Sequence, residues 1–152
     1  MAKWLRIMGY DTIFAHPVED GELVRIAQRE GRILLTRDTQ VAKRTDARRT
    51  GLRVILIESE RLQDQLLQIV RDLNLDQLSH RFSRCIECNE ILVPKAKDQV
   101  RDMVPPYVFQ TQEQYMQCPR CGRIYWKGTH WARMTAELRA LASEGFERKE
   151  AS

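Results

Sequence analysis

The sequence predicts an α/β half built on a parallel sheet covered on both faces, followed by a smaller module stapled by its cysteines. Two continuous apolar runs, within Arg32 to Thr36 and Arg53 to Ile57, alternate with segments of helical periodicity, the pattern of strands buried on both sides. All four cysteines lie in the second half, as Cys85-x-x-Cys88 and Cys118-x-x-Cys121. The chain has 152 residues, room for one domain or two small ones. A module below roughly 70 residues needs a metal or disulfide staple, which makes the cysteines decisive.

The elements follow in order. Ala2 to Met8 reads as a helix, with Leu5 and Met8 on one side and Gly9 where the chain turns left-handed. Thr12 to Ala15 is a short strand candidate, and Pro17 then breaks the chain. Asp20 can cap the next helix, whose buried stripe is Leu23, Ile26 and Ala27 and whose end is Gly31. After the strand at Arg32 to Thr36, a polar helix extends to about Arg49, Gly51 turns the chain, and Arg53 to Ile57 forms a second strand. Leu62, Leu66, Ile69, Val70 and Leu73 then repeat at helical spacing, predicting a helix over 60 to 74. This half is expected to be a three-layer doubly wound sheet. A polar stretch at Ser79 to Arg84 marks the boundary between a domain at 1–80 and a ribbon at 81–142. Within the ribbon, Glu90 to Val93 is a strand ended by Pro94, Ile124 to Trp126 is another, and Gly128 and Thr129 start a helix bearing Met134, Leu138 and Leu141. The charged tail, 143–152, is expected to fray.

Composition excludes several classes. A charged fraction of 30% with a net charge of +4 is too balanced for a disordered polyelectrolyte. No apolar run approaches the ~18 residues of a bilayer span, so no membrane partner is expected. The first residues lack the apolar core of a secretory signal, which points to a reducing cytoplasm in which cysteines are thiols or metal ligands. Residues 1–80 carry 13 basic and 12 acidic side chains and residues 81–152 carry 12 and 9, so the basic excess leans to the ribbon.

The two cysteine pairs, 29 residues apart, can complete a tetrahedral all-thiolate zinc site. Each knuckle turns sharply after its second thiolate, and Asn89 and Gly122, the residue types that best tolerate positive φ, occupy those places. Four closed thiolates leave no open position, so such a zinc is structural. A redox pair or an iron–sulfur cluster are the competing readings.

Asp38 falls at the C-terminal end of the first continuous strand, where open α/β sheets keep their sites. With Asp20 or Glu22 it could hold Mg²⁺ or Mn²⁺, which activates water and neutralises a phosphodiester. The same three residues also read as helix caps and a solvated helix position.

The run Ala2-Lys-Trp-Leu-Arg6, Gly9-Tyr-Asp11, Glu30 to Asp38, Cys85-x-x-Cys88-Asn89, Val104-Pro105, Cys118-Pro-x-Cys121 and Tyr125-Trp-x-Gly-Thr-His130 together resemble the mut-7 C-terminal RNase-domain family over about 1 to 142. That resemblance implies a PIN-like nuclease domain joined to a zinc ribbon, acting as a metal-dependent ribonuclease. Thr36-x-Asp38 resembles the PIN motif whose Asp binds the catalytic metal, with Asp20 as acidic partner and Glu22 assisting. It also implies a preceding strand of the type Phe-x-x-Asp that supplies another carboxylate. This sequence starts at the helix, so truncation of the nuclease domain is expected, and a non-catalytic RNA-binding or protein-binding adaptor is the alternative.

RNA, in single-stranded form, is the expected partner. Arg37, Lys43, Arg44, Arg48 and Arg49 would neutralise phosphates near Asp38. In the ribbon, Arg84, Arg120, Arg123 and Lys127 lie beside Tyr125, Trp126 and Trp131, a mixture suited to stacking on bases, with His130 as a phosphate contact or proton carrier. The same aromatics also read as the ribbon's small core. The sequence leaves oligomeric state open.

Overall fold

The computed structural model describes residues 1–14, 19–44 and 51–150, without the side chains of 44 and 144–150. The chain divides into two compact units, one formed by Phe14–Gln68 and the other by Met1–Ile13 with Ile69–Ser152.

In the unit Phe14–Gln68, helix α2 (Asp20–Glu30) leads into strand β1 (Leu34–Thr36), helix α3 (Thr39–Arg44) and strand β2 (Val54–Leu56). β1 and β2 are parallel, with Leu34 opposite Val54 and Thr36 opposite Leu56. A parallel pair cannot be joined by a tight turn, and α3 lies within the crossover. Ala27, Leu34, Val41 and Leu52 are buried together, with Leu23, Val24 and Val54 packed against them. The α/β reading is therefore correct at the level of a parallel pair with helices. Among the described residues this sheet has two strands.

Helix α4 (Leu62–Leu73) buries Leu66, Leu67, Ile69 and Val70 and falls within the predicted span. Its Asp64 carboxylate accepts a hydrogen bond from the Ser59 hydroxyl at 3.1 Å, and the Ser59 carbonyl accepts one from the Gln65 side chain at 3.0 Å. These bonds hold the helix entrance.

The other unit contains helix α1 (Ala2–Ile7) and an antiparallel sheet of β3 (Val93–Lys95), β4 (Tyr115–Gln117) and β5 (Ile124–Trp126), with β4 central. A 3₁₀ turn (Lys97–Val100) and helix α5 (Pro106–Thr111) fill the long loop between β3 and β4. Val100, Val104 and Tyr115 form its core, and the Tyr115 hydroxyl is shared by the carbonyls of Val108 and Gln112 at 3.1 Å each. Helix α6 (Thr129–Glu150) then buries Leu138 and Leu141. Among the described residues no helix is long and apolar enough to cross a membrane.

Two local expectations are corrected. Thr12 to Phe14 is not a strand, and the Thr12 backbone is taken by side chains: Asn89 Oδ1 accepts from Thr12 N–H at 2.9 Å, and Arg6 Nε donates to Thr12 O at 2.9 Å. Ala15 lies outside the described residues, as does Pro17. The strand expected at Glu90 to Val93 starts instead at Val93 and includes Pro94 opposite Met116. β3 has one neighbour, and an edge strand tolerates the missing N–H. The backbone of the charged tail is helical through Glu150.

Residues 1–13 attach closely to residues 76–89. The Tyr10 hydroxyl donates to Asp76 O at 3.0 Å and accepts from Asp76 N–H at 2.8 Å. The Asp76 carboxylate accepts from the amides of Leu78 and Ser79 at 2.8 and 3.0 Å. With the Ser79 side chain donating as well, its pKa is lowered to about 2. A folded-state pKa below the unfolded one stabilises above the unfolded value, near pH 4, and the contribution fades as pH falls toward 2. Acid titration of urea unfolding should therefore show a stability loss in that window that Asp76→Asn lacks.

Candidate metal centre

Cys85 and Cys88 lie on the turn before β3, and Cys118 and Cys121 on the turn between β4 and β5. The two turns are built alike. Asn89 N–H bonds Cys85 O at 2.9 Å with Asn89 at φ +69°, and Gly122 N–H bonds Cys118 O at 3.0 Å with Gly122 at φ +75°. The Cys88 amide points at Cys85 Sγ (3.4 Å) and the Cys121 amide at Cys118 Sγ (3.5 Å). Positive φ after each second cysteine lets the amides turn inward, as the sequence predicts.

The four Sγ atoms lie within 4.8 Å of one another, the one group of three or more His, Cys, Asp or Glu ligands so arranged among the described residues. Cys85 Sγ and Cys121 Sγ are 3.8 Å apart. A tetrahedron with Zn–S bonds of ~2.3 Å has edges of about 3.8 Å, so this spacing fits zinc. Cys85 and Cys118 are fully buried, whereas Cys121 is exposed.

Electrostatics point the same way. Burial opposes ionisation of Cys85, but donation from the Tyr125 hydroxyl (3.1 Å) and from the Cys88 and Glu87 amides lowers its pKa to about 7. Hydrogen bonding with Cys121, burial and the neighbouring Cys85 thiolate push Cys88 up to about 12, and burial raises Cys118. Four adjacent thiolates are untenable without a cation, and a coordinating cation deprotonates such thiols outright. The donor set fits a divalent metal ion, and it is consistent with zinc.

Side chains of residues 3, 6, 84 and 89 hold the first turn in place, a role not expected for any of them from the sequence. Arg6, only 8% exposed, donates through Nη1 to the carbonyls of Ile86 (2.8 Å) and Glu87 (2.9 Å). Asn89 Nδ2 donates to Asp11 Oδ1 at 2.6 Å, and Arg84 bridges Gly9 O and Asn89 O at 3.1 and 2.9 Å. Lys3 pairs with Glu87 at 2.6 Å. Arg6 is flanked in sequence by the apolar Leu5 and Ile7, the only local hint of its burial.

The carboxylates are placed differently. Asp38 follows β1, and its Oδ1 accepts from the amides of Gln40 (2.6 Å) and Val41 (3.2 Å), which makes it the cap of α3. Its Oδ2 has no hydrogen-bond partner among the described residues. Asp20 is the first helical residue of α2, and Glu19 rather than Asp20 is the N-cap position. Glu22 pairs with Arg25 at 2.9 Å. Among the described residues, Asp20, Glu22 and Asp38 do not form a three-carboxylate ligand cluster.

Of the basic residues, Arg37 is paired with Glu60 at 2.6 Å, and Lys43 is exposed. Arg48 and Arg49 lie outside the described residues, as does the side chain of Arg44. Arg123 pairs with Glu87 at 3.5 Å, Arg120 approaches Glu90 at 3.9 Å, and Lys127 Nζ lies 5.7 Å from the Trp131 ring centre. His130 Nδ1 is 3.0 Å from Arg133 Nη2.

One unit carries a parallel strand pair with helices, and the other carries four cysteines positioned to bind a metal ion, consistent with zinc. Residues 1–138 match the Mut7-C RNAse domain, and the chain belongs to that family. RNA is the substrate class this membership implies. No curated protein and no solved structure matches the chain.

Proposed function

We propose that this protein is a metal-dependent ribonuclease that hydrolyses RNA phosphodiester bonds, with a zinc ribbon as its structural partner domain. The observation that carries the reading is membership of an RNase-domain family across residues 1–138, with Asp38 at the C-terminal end of β1. We read α2, β1, α3 and β2 as part of a PIN-like three-layer sheet.

Mg²⁺ is commonly held by only one or two carboxylates together with waters and substrate phosphates, a requirement that Asp38 and Asp20 can meet without a three-carboxylate cluster. When bound, such an ion would neutralise the phosphodiester and lower the pKa of water. The chain's own contribution is orientation. The amides of Gln40 and Val41 fix Asp38 Oδ1 and thereby direct Oδ2. Glu22 would assist from α2, and Lys43 would meet the backbone of a single-stranded substrate.

A second reading, an RNA-binding or protein-binding adaptor without catalysis, draws support from the lack of a three-carboxylate cluster among the described residues. One comparison separates the two. With Mg²⁺ or Mn²⁺ and a labelled single-stranded RNA, Asp38→Asn should lower the cleavage rate at least ~100-fold, the upper range for losing a mere supporting partner of a metal ligand. Cleavage that survives the substitution removes Asp38 from the mechanism, and no cleavage by the parent protein favours the adaptor.

A further inference from the structure

Beside the metal centre, the unit Met1–Ile13 with Ile69–Ser152 contains an open cavity of about 900 Å³. Its walls come from residues 78–92, from α5, from β4 and β5, and from the first turns of α6. This volume lies at the upper end of ordinary ligand pockets, ~300–1,000 Å³. Two features set its chemistry. Its lining includes Arg81, Arg84, Lys127 and His130 but no Asp or Glu, and it is rich in aromatic side chains.

The aromatic platform is fixed from behind. Phe82 adopts φ +59°, an unusual backbone for a bulky residue, held by its N–H bond to Ile7 O at 2.6 Å. Its ring lies 5.2 Å from that of Trp131, tilted by 35°. Arg81 and Lys127 both approach the same indole, at 5.7 Å each. Arg81 Nη1 is bonded to Leu78 O, yet its buried Nε has no hydrogen-bond partner among the described residues. At the rim, Tyr107 is 74% exposed, an aromatic face with little of its surface covered.

We propose that this groove seats unpaired bases of single-stranded RNA, with Tyr107 as a stacking face and Lys127 and Arg81 as phosphate contacts. The inference deepens the ribonuclease reading and rests on it for the identity of the polyanion. The chemistry otherwise comes from the lining: cations without carboxylates select an anionic strand, and aromatic faces select bases whose own faces are exposed. A duplex keeps its bases stacked on one another and offers no such face. Of the residues that sequence reading offered for RNA contact, Lys127 and His130 line the groove, whereas Arg120 and Arg123 do not.

The test uses the full zinc-loaded chain, a fluorescent ten-nucleotide oligouridylate and no added Mg²⁺, with binding read by anisotropy across a salt series. Tyr107→Ala should weaken binding roughly tenfold, within the range for losing one stacked base. Lys127→Ala should reduce the slope of log K against log salt by about 0.7, the value for one phosphate contact on a single strand. Both side chains are exposed, and unchanged zinc content and circular dichroism would establish that the variants are folded. The proposal is overturned if both variants bind like the parent, if a duplex of equal length binds as tightly, or if Tyr107→Ala instead dissociates a self-associated form seen by sedimentation. Cleavage with Mg²⁺ is scored separately. Intact cleavage with unchanged binding in both variants would sink the groove and leave the ribonuclease reading standing; lost binding without cleavage by the parent would do the reverse.

Discussion

Stripping zinc from the four-cysteine centre is expected to unfold the β3–β5 sheet and, with it, to release residues 2–13. The apolar core there is small: Cys85, Leu92 and Cys118 are buried, with Cys88, Met116 and Tyr125 packed against them. Half of that group is the metal ligands themselves. Zinc binding to such ribbons is worth ~10–16 kcal/mol, comparable with the whole stability of a domain, ~5–15 kcal/mol. The N-terminal segment should follow because its anchors lie on the first cysteine turn: Arg6 on Ile86 O and Glu87 O, Asn89 on Thr12 N–H and Asp11. Hydrogen exchange with and without a strong chelator checks both parts. Protection in β3–β5 and in residues 2–13 should fall together, and zinc should restore both. Persistence of the sheet after complete metal removal contradicts the assignment.

Gly9→Ala is the second large effect. Gly9 has φ +96°, and a Cβ placed there would sit 2.3 Å from His80 O and 2.8 Å from His80 Cβ. The contact is with backbone, so no side-chain rotation relieves it. Strain at such a φ costs ~1–3 kcal/mol, and overpacking adds ~1–3 kcal/mol. A loss of about 3 kcal/mol or more is expected. Gly122→Ala makes a useful comparison in the same unit, with φ +75° and nothing nearer than Gln117 Nε2 at 3.9 Å. It carries the conformational cost without the collision. Urea midpoints of the two variants should be well separated, Gly9→Ala lower; equal midpoints would show that the close approach to His80 does not matter.

The legible and illegible parts of this molecule differ in range. Cysteine spacing announces the metal centre because ligand geometry restricts local turns, and Asn89 and Gly122 take the positive φ that those turns need. The parallel pair is legible from its continuous apolar runs, although within Val54 to Leu56 only Ile55 is buried and Leu56 is exposed. Long-range polar contacts leave no such periodic trace. Arg6 lies in a helix read from Leu5 and Met8 alone, yet it is buried on carbonyls 80 and 81 residues away. Tyr10 and Asp11 follow the helix stop at Gly9 with no periodicity of their own, yet they bind Asp76 and Asn89. The strand expected at Thr12 to Ala15 is absent over Thr12 to Phe14, where the side chains of nearby Arg6 and of Asn89, 77 residues away, take the Thr12 hydrogen bonds that a ladder would have used. For Asp38, helix cap and metal ligand require the same residue type at the same place, and its bonds to Gln40 and Val41 establish the cap.

In the proposed function, zinc folds the ribbon and a second, carboxylate-bound metal serves RNA cleavage. The most direct measurement is the cleavage rate of single-stranded RNA against added Mg²⁺, with bound zinc held at one equivalent per chain. No cleavage is expected without Mg²⁺, with a saturable rise as it is added and loss of that rise in Asp38→Asn. Cleavage that is indifferent to Mg²⁺ at constant zinc, or no cleavage at any concentration, would contradict that function.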